Sequence, residues 1–405
     1  MKNGYYNFMK KIKFMITIFI LMLFYMYVAN ITLLPENIVL LNEEKLEIKL
    51  MPFIEKTETV KTSNENTNKK NIELKLFGKI HLKDMNVDIL EDIEVIPIGK
   101  VIGLKLYTNG VLIVGLSEIQ GENNNISKPY NEEEIKEGDT IIKINNEYVE
   151  SIEHLKKIVN SSNGDSLNLT LVRDGIIFTS NIIPVKDKEN EYKLGLWVKD
   201  AATGVGTISF YEPNSKSFAA LGHGITDNDT DSLIDIDSGE LVTSRILSIT
   251  KGEKGIPGEV KGTIVNQPTI GNVEKNTIFG IYGTLNNISY LNIDLNKKYK
   301  VATRNEIKEG NAKLICSLEN NKAQEEYDII IENIYLNNNS DNKSMLIRVT
   351  DEKLIEKTGG IIRGLSGAPI IQNNKFIGVV TNVLVSDPTV GYAIFGDLMI
   401  KNLNN

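Results

Sequence analysis

One histidine and one serine in this chain sit in surroundings suited to chemistry. The histidine lies in FAALGHGITD, residues Phe218 to Asp227, where a short apolar run ends in His223 flanked by Gly222 and Gly224. Two glycines offer the ring little to pack against, so it suits an open cleft better than a core. An imidazole titrating near ~6.5 can also shuttle a proton at neutral pH. The serine lies in Gly364-Leu365-Ser366-Gly367-Ala368-Pro369, followed by the turn Gln372-Asn373-Asn374-Lys375 and the run from Phe376 to Thr381. Glycines let the chain turn so tightly that the Ser366 hydroxyl is exposed while the N–H groups of Gly364 and Ser366 point at one spot. Such a spot can hold an oxyanion, an effect worth roughly 3–4 kcal/mol per donor. Alone, a Gly-Ser-Gly motif is usually just a turn and a lone histidine a loop cap. Together, in that order, they describe a nucleophile and its general base.

Composition narrows the alternatives. The chain has 405 residues, 45 Lys plus Arg against 53 Asp plus Glu, and a net charge of −8. That acidic balance argues against nucleic acid as a partner. A single cysteine, Cys316, forms no intrachain disulfide, and His81, His154 and His223 are too scattered for a metal cluster, so no metal and no cofactor is expected.

The elements that must position these groups begin at a membrane. Phe14 to Leu34 is almost unbroken apolar sequence, preceded by Lys2, Lys10, Lys11 and Lys13 and followed by Glu36, Glu43 and Glu44. About 20 such residues span a bilayer, and the charge bias keeps the amino end cytoplasmic. A cleaved signal is the alternative, although Val28-Ala29-Asn30 lacks a small-x-small site. The polar Lys61–Asn71 stretch reads as a flexible tether. From Ile96 onward, short β-branched runs separated by Gly and Asn predict strands and turns. Helices are predicted at Glu132–Lys136 and at Ser151–Asn160, the latter capped by Ser151.

Glu137-Gly138-Asp139-Thr140-Ile141-Ile142 followed by Ile144-Asn145-Asn146-Glu147-Tyr148-Val149 resembles the EGDxIxxINGxxV run of bacterial PDZ domains. In such domains a peptide adds as a strand beside a helix and its carboxylate is held by backbone N–H groups. By that resemblance the carboxylate loop is Ile102-Gly103-Leu104. The alternative is a PDZ fold serving only as a spacer.

From about Ile96 to Leu398, through KLGLWVKDAATGVGTISFYEP, LGHGITD, FGIYGTL and VTDEKLIEKTGGIIRGLSGAPIIQNNKFIGVVTNVLVSDPTVGY, the chain resembles the stage IV sporulation protein B peptidases of endospore-forming bacteria. The resemblance implies a mainly β serine endopeptidase of chymotrypsin-like fold that carries a PDZ domain. It implies work in the space between the forespore membranes on a membrane-bound regulator of the sigma-K processing protease, together with self-cleavage near the amino terminus. It also implies His223 as base, Ser366 as nucleophile and Asp351, in the VTD segment, as the orienting carboxylate. Asp227 competes for that last role, since Asp351 could instead cap a short helix from Glu352 to Lys357. Thr381 matches a family position and is expected as a wall of the site, and the turn from Asp387 to Tyr392 is expected beside the substrate cleft.

The expected layout is a stub and anchor at 1–34, a linker at 35–95, a PDZ domain at 96–186 and a double β-barrel peptidase at 193–400, with His223 on one barrel and Ser366 on the other. A non-catalytic membrane-tethered binding protein is the rival from another class, and the pairing of His223 with Ser366 argues against it. A general envelope quality-control peptidase would carry its PDZ domain after the catalytic domain, the reverse of the order here.

Overall fold

The computed structural model describes residues 10–19, 21–22, 24–25, 37–41, 54–62, 68–90, 93–121, 125–173, 175–227, 230–320, 322–336 and 342–404. Strands dominate. Alternating apolar residues direct one face of each strand inward, as in Glu94–Leu116, where Ile102, Leu104 and Leu106 are buried in turn.

Six strands close into a first barrel. Glu94–Leu116 pairs with Leu196–Glu212, which pairs with Ser217–Ala220, then Gly280–Leu285, Glu259–Thr277 and Ile236–Thr250, which returns to Glu94–Leu116. Its core includes Ile98, Ile208, Phe218, Leu241, Ile270 and Ile281. A second ring of six runs through Gly310–Cys316, Glu325–Ile334, Met345–Val349, Val390–Phe395, Lys375–Val383 and Pro369–Gln372, which pairs back with Gly310–Cys316. Closure removes the open edges that would otherwise invite aggregation. Two six-stranded barrels are the arrangement expected of a chymotrypsin-like peptidase.

The domain boundaries differ from expectation. The first barrel opens with Glu94–Leu116, which the sequence assigned to the PDZ segment, and everything between its first two strands is an insertion. Residues from Val111 to Leu194 pack a separate core, with Ile135, Ile141, Ile144, Leu155, Leu169 and Leu171 at its centre. Both barrel strands continue into this inserted module: Tyr107 faces Ala201 in the barrel, and Ile113 faces Val198 in the module. The helix Ile152–Ser161 forms there as expected, with the Ser151 side chain accepting from the His154 N–H. Residues 132–134 make only a hydrogen-bonded turn, in which the N–H groups of Glu134 and Ile135 both donate to the Asn131 carbonyl.

Two further expectations need correction or fall partly outside the described residues. The polar stretch expected as a tether is flanked by strands: Ile54–Thr62 pairs with Asn68–Leu76, which pairs with Ile80–Leu90. Ile72, Leu74, Leu76, Met85 and Val87 supply a buried face, a period-two pattern that lies just beyond the polar run. Residues 63–67 lie outside the described residues. Helical backbone occupies the described positions between 10 and 25, and no helix among the described residues is long and apolar enough to cross a membrane. Residues 26–36, in which the expected span ends, lie outside them.

Candidate active site

Ser366 stands in a loop between the helix Glu352–Thr358 and the strand Pro369–Gln372 of the second barrel. His223 follows Ser217–Ala220 in the first. Contacts across the barrel interface bring the two loops together. A Cβ on Gly367 would stand 2.6 Å from the Leu221 nitrogen, and one on Gly222 would stand 3.1 Å from the Thr381 methyl. Only glycine permits both approaches. The Ser366 hydroxyl donates to the Thr381 carbonyl at 2.7 Å. Thr381, almost fully buried, therefore touches both loops.

The expected oxyanion donors are held by the carbonyls on the opposite edges of their peptide planes. The Arg363 carbonyl accepts from the Val260 N–H at 2.8 Å, and the Leu365 carbonyl accepts from the Ala368 N–H at 2.9 Å. In a trans peptide the N–H points away from the C=O, so the N–H groups of Gly364 and Ser366 face the other way. Neither has a partner among the described residues. The buried Thr207 hydroxyl donates to the Gly364 carbonyl at 2.6 Å and fixes the next peptide plane. Thr207 and Val260 both belong to the first barrel, so these donors are set by residues from both lobes. Sequence reading missed both, since neither carries a motif.

The His223 ring is half-buried, and its Nδ1 lies 2.8 Å from the Gly224 carbonyl. Burial holds the imidazole below its ordinary value, while the Gly224 carbonyl works the other way. Neither candidate carboxylate meets the ring. Asp351 is the N-cap of Glu352–Thr358: its side chain accepts from the N–H groups of Lys353 and Leu354, and also from that of Asp328. In this structure Asp351 thus holds the capping position that was the alternative reading of its role. Asp227, buried, accepts from the Lys199 ammonium at 3.0 Å and from the Thr230 N–H at 3.2 Å. Downstream, the Asp387 carboxylate is held by Arg348 and Thr389, and the Pro388 carbonyl accepts from the Ile361 N–H at 2.7 Å, which braces the start of the nucleophile loop.

The carboxylate loop expected at Ile102-Gly103-Leu104 is interior barrel strand. Gly103 faces Val205 on one side and Val242 on the other, so its backbone groups are already in ladders and cannot receive a peptide. The module has its groove elsewhere. Residues 196–198 pair with the Glu94–Leu116 strand, among the described residues along one edge only, and across a cavity of ≈ 520 Å³ they face the helix Ile152–Ser161. Ile152, Leu155, Val159, Leu194, Leu196 and Val198 line it.

A serine and a histidine on facing loops of two six-stranded β-barrels, beside a turn whose two N–H groups have no partner among the described residues, form the arrangement that a serine peptidase requires. The family model described as SpoIVB peptidase S55 matches residues 190–400, and the chain belongs to that family of serine peptidases, hydrolases of peptide bonds with a role in sporulation. The match begins at residue 190, within the last stretch of the inserted module, and so omits most of that module and the first barrel's opening strand. No curated protein matches the chain.

Proposed function

We propose that this peptidase is anchored in the membrane by residues 14–34, acts in the space between the forespore membranes, and cleaves both a membrane-bound regulator of the sigma-K processing protease and its own amino-terminal region. The meeting of the Ser366 and His223 loops on Thr381 carries the catalytic part of this reading. Ser366 turns its hydroxyl from the Thr381 carbonyl to His223 Nε2 and attacks the scissile carbonyl. His223 takes the proton and passes it to the leaving amine, while the N–H groups of Gly364 and Ser366 receive the oxyanion. Water then repeats the sequence on the acyl-enzyme. Giving up the Thr381 bond costs little, about 1 kcal/mol net. Exposed Phe14, Phe19, Leu21 and Met22 on the amino-terminal helix support the anchor.

The inserted module is read as a PDZ-type unit occupying 111–198, whose open edge at 196–198 takes an extended peptide by strand addition. In vesicles carrying enzyme and membrane substrate, Ser366→Ala or His223→Ala alone should abolish nearly all cleavage, and the double change should cost little more. Self-cleavage persisting in folded Ser366→Ala would refute the assignment. Ile152→Trp, which fills the groove, should spare hydrolysis of a short peptide and impair cleavage of the membrane substrate. Equal effects on both would remove the groove from the mechanism.

A further inference from the structure

To act as base, His223 must offer a bare Nε2, and in this structure the group that meets its other ring nitrogen is a backbone carbonyl. A carbonyl oxygen has no proton to give, so the 2.8 Å contact between Nδ1 and the Gly224 oxygen requires the hydrogen on Nδ1 and leaves Nε2 as acceptor. That contact is only as well defined as the backbone behind it. The loop leaves the barrel after Ser217–Ala220 and returns at Ile236–Thr250, and Asn276, near the end of Glu259–Thr277, clamps it. Asn276 Oδ1 accepts from the Ile225 N–H at 2.9 Å, and its Nδ2 donates to the Ile225 and Ile234 carbonyls, each at 2.8 Å. One amide thus satisfies both backbone groups of the residue beside Gly224 and ties together the two legs of the loop, which also meet through the Ile234 N–H and the Ile225 carbonyl at 3.1 Å.

We propose that Asn276 is the positioning residue of the general base: through Ile225 it holds the Gly224 carbonyl where that carbonyl keeps His223 in the Nδ1–H tautomer. The proposal rests on His223 being the base. It accounts for an amide at this position, because the two carbonyls need two donors and an aspartate would set a carboxylate against both. It also accounts for the engagement of Asp227 and Asp351 elsewhere, since the ring already has its orienting acceptor.

The chain has three histidines, so the ring nitrogens of the full-length protein labelled with ¹⁵N-histidine give a sparse spectrum in which His223→Gln identifies the His223 signals. Above the titration of the ring, those signals should show the Nδ1–H form. Asn276→Ala should lower kcat by about 100-fold with KM within a few-fold, the scale of a small misplacement of a catalytic group, and should raise the Nε2–H population. Asn276→Asp, of the same shape, should do likewise, and it serves as the test if the alanine variant does not fold. An Nε2–H ring in the parent protein would overturn the proposal, as would unchanged kcat and tautomer in a folded Asn276 variant. Retained activity in His223→Gln would instead refute the assignment of the base, whatever the tautomer.

Discussion

Burial holds the His223 imidazole below its ordinary value, so the ring stays neutral, and able to accept a proton, at pH values where an exposed histidine is already charged. The acid limb of kcat/KM should therefore be centred below pH ~6.5, the ordinary histidine value. A limb centred above that would mean that a carboxylate reaches the ring during turnover. Asp351 offers a second test at this scale. As an N-cap it should tolerate Asn, which caps equally well, whereas Asp351→Ala should cost about 1 kcal/mol in thermal unfolding and loosen the helix that leads into the nucleophile loop. A fall in turnover of about 10⁴ in a stable Asp351→Asn enzyme would restore its role as orienting carboxylate. His223 and Ser366 were legible in the sequence because glycine-flanked reactive side chains are unusual. Asn276 was not, because its partners are backbone groups about 50 and 40 positions away, and no spacing rule joins them.

Among the elements, the strand Leu196–Glu212 does the most to join recognition to chemistry. Its first residues border the groove, and Thr207, further along, holds the Gly364 carbonyl. Thr207→Val keeps the shape and removes the donor. It should cost about 1 kcal/mol of stability by leaving a partly buried carbonyl unpaired. It should also lower kcat, by less than the ~10²–10³ that follows deletion of an oxyanion donor, with KM nearly unchanged. Steady-state kinetics on a short peptide check this, and an unchanged kcat would separate Thr207 from the hole. That the chain would be rich in strands could be read from its β-branched runs, and the helix Ile152–Ser161 from its cap and apolar face. The partners of Glu94–Leu116 could not, because VIGLKLYTNGVLIVGL alternates in the same way whether it pairs within a small module or within a barrel.

For the molecule as a whole, the insertion predicts a shorter enzyme. Tyr107 and Ala201 face each other in the barrel, so joining Gly110 to Ala201 leaves Thr108-Asn109-Gly110 as a three-residue hairpin turn with glycine at its left-handed position. Asp227→Asn should accompany the deletion, because Lys199 would no longer neutralise that carboxylate. The shortened chain should fold and hydrolyse a short peptide, yet lose the groove. An insoluble product would show that the module is required for the barrel. The sequence reading assigned Glu94–Leu116 wholly to the module because its local pattern does not say that the strand's first half pairs within the barrel and its second half within the module.

The same insertion bears on the order in which the chain can fold. Glu94–Leu116 leaves the ribosome long before any of its barrel partners and must wait for Leu196–Glu212 and Ile236–Thr250. The module between them makes most of its contacts within itself and can fold as soon as residues 111–198 have emerged. Once folded, it holds its two ends side by side, at Ile113 and Val198. A closure that would otherwise span about 90 free residues then spans only a few, which lowers the entropic cost by about 3 kcal/mol. The unit that lies beside the catalytic barrels would thus act during synthesis as a clasp, bringing the first strand to its partner before the barrel closes.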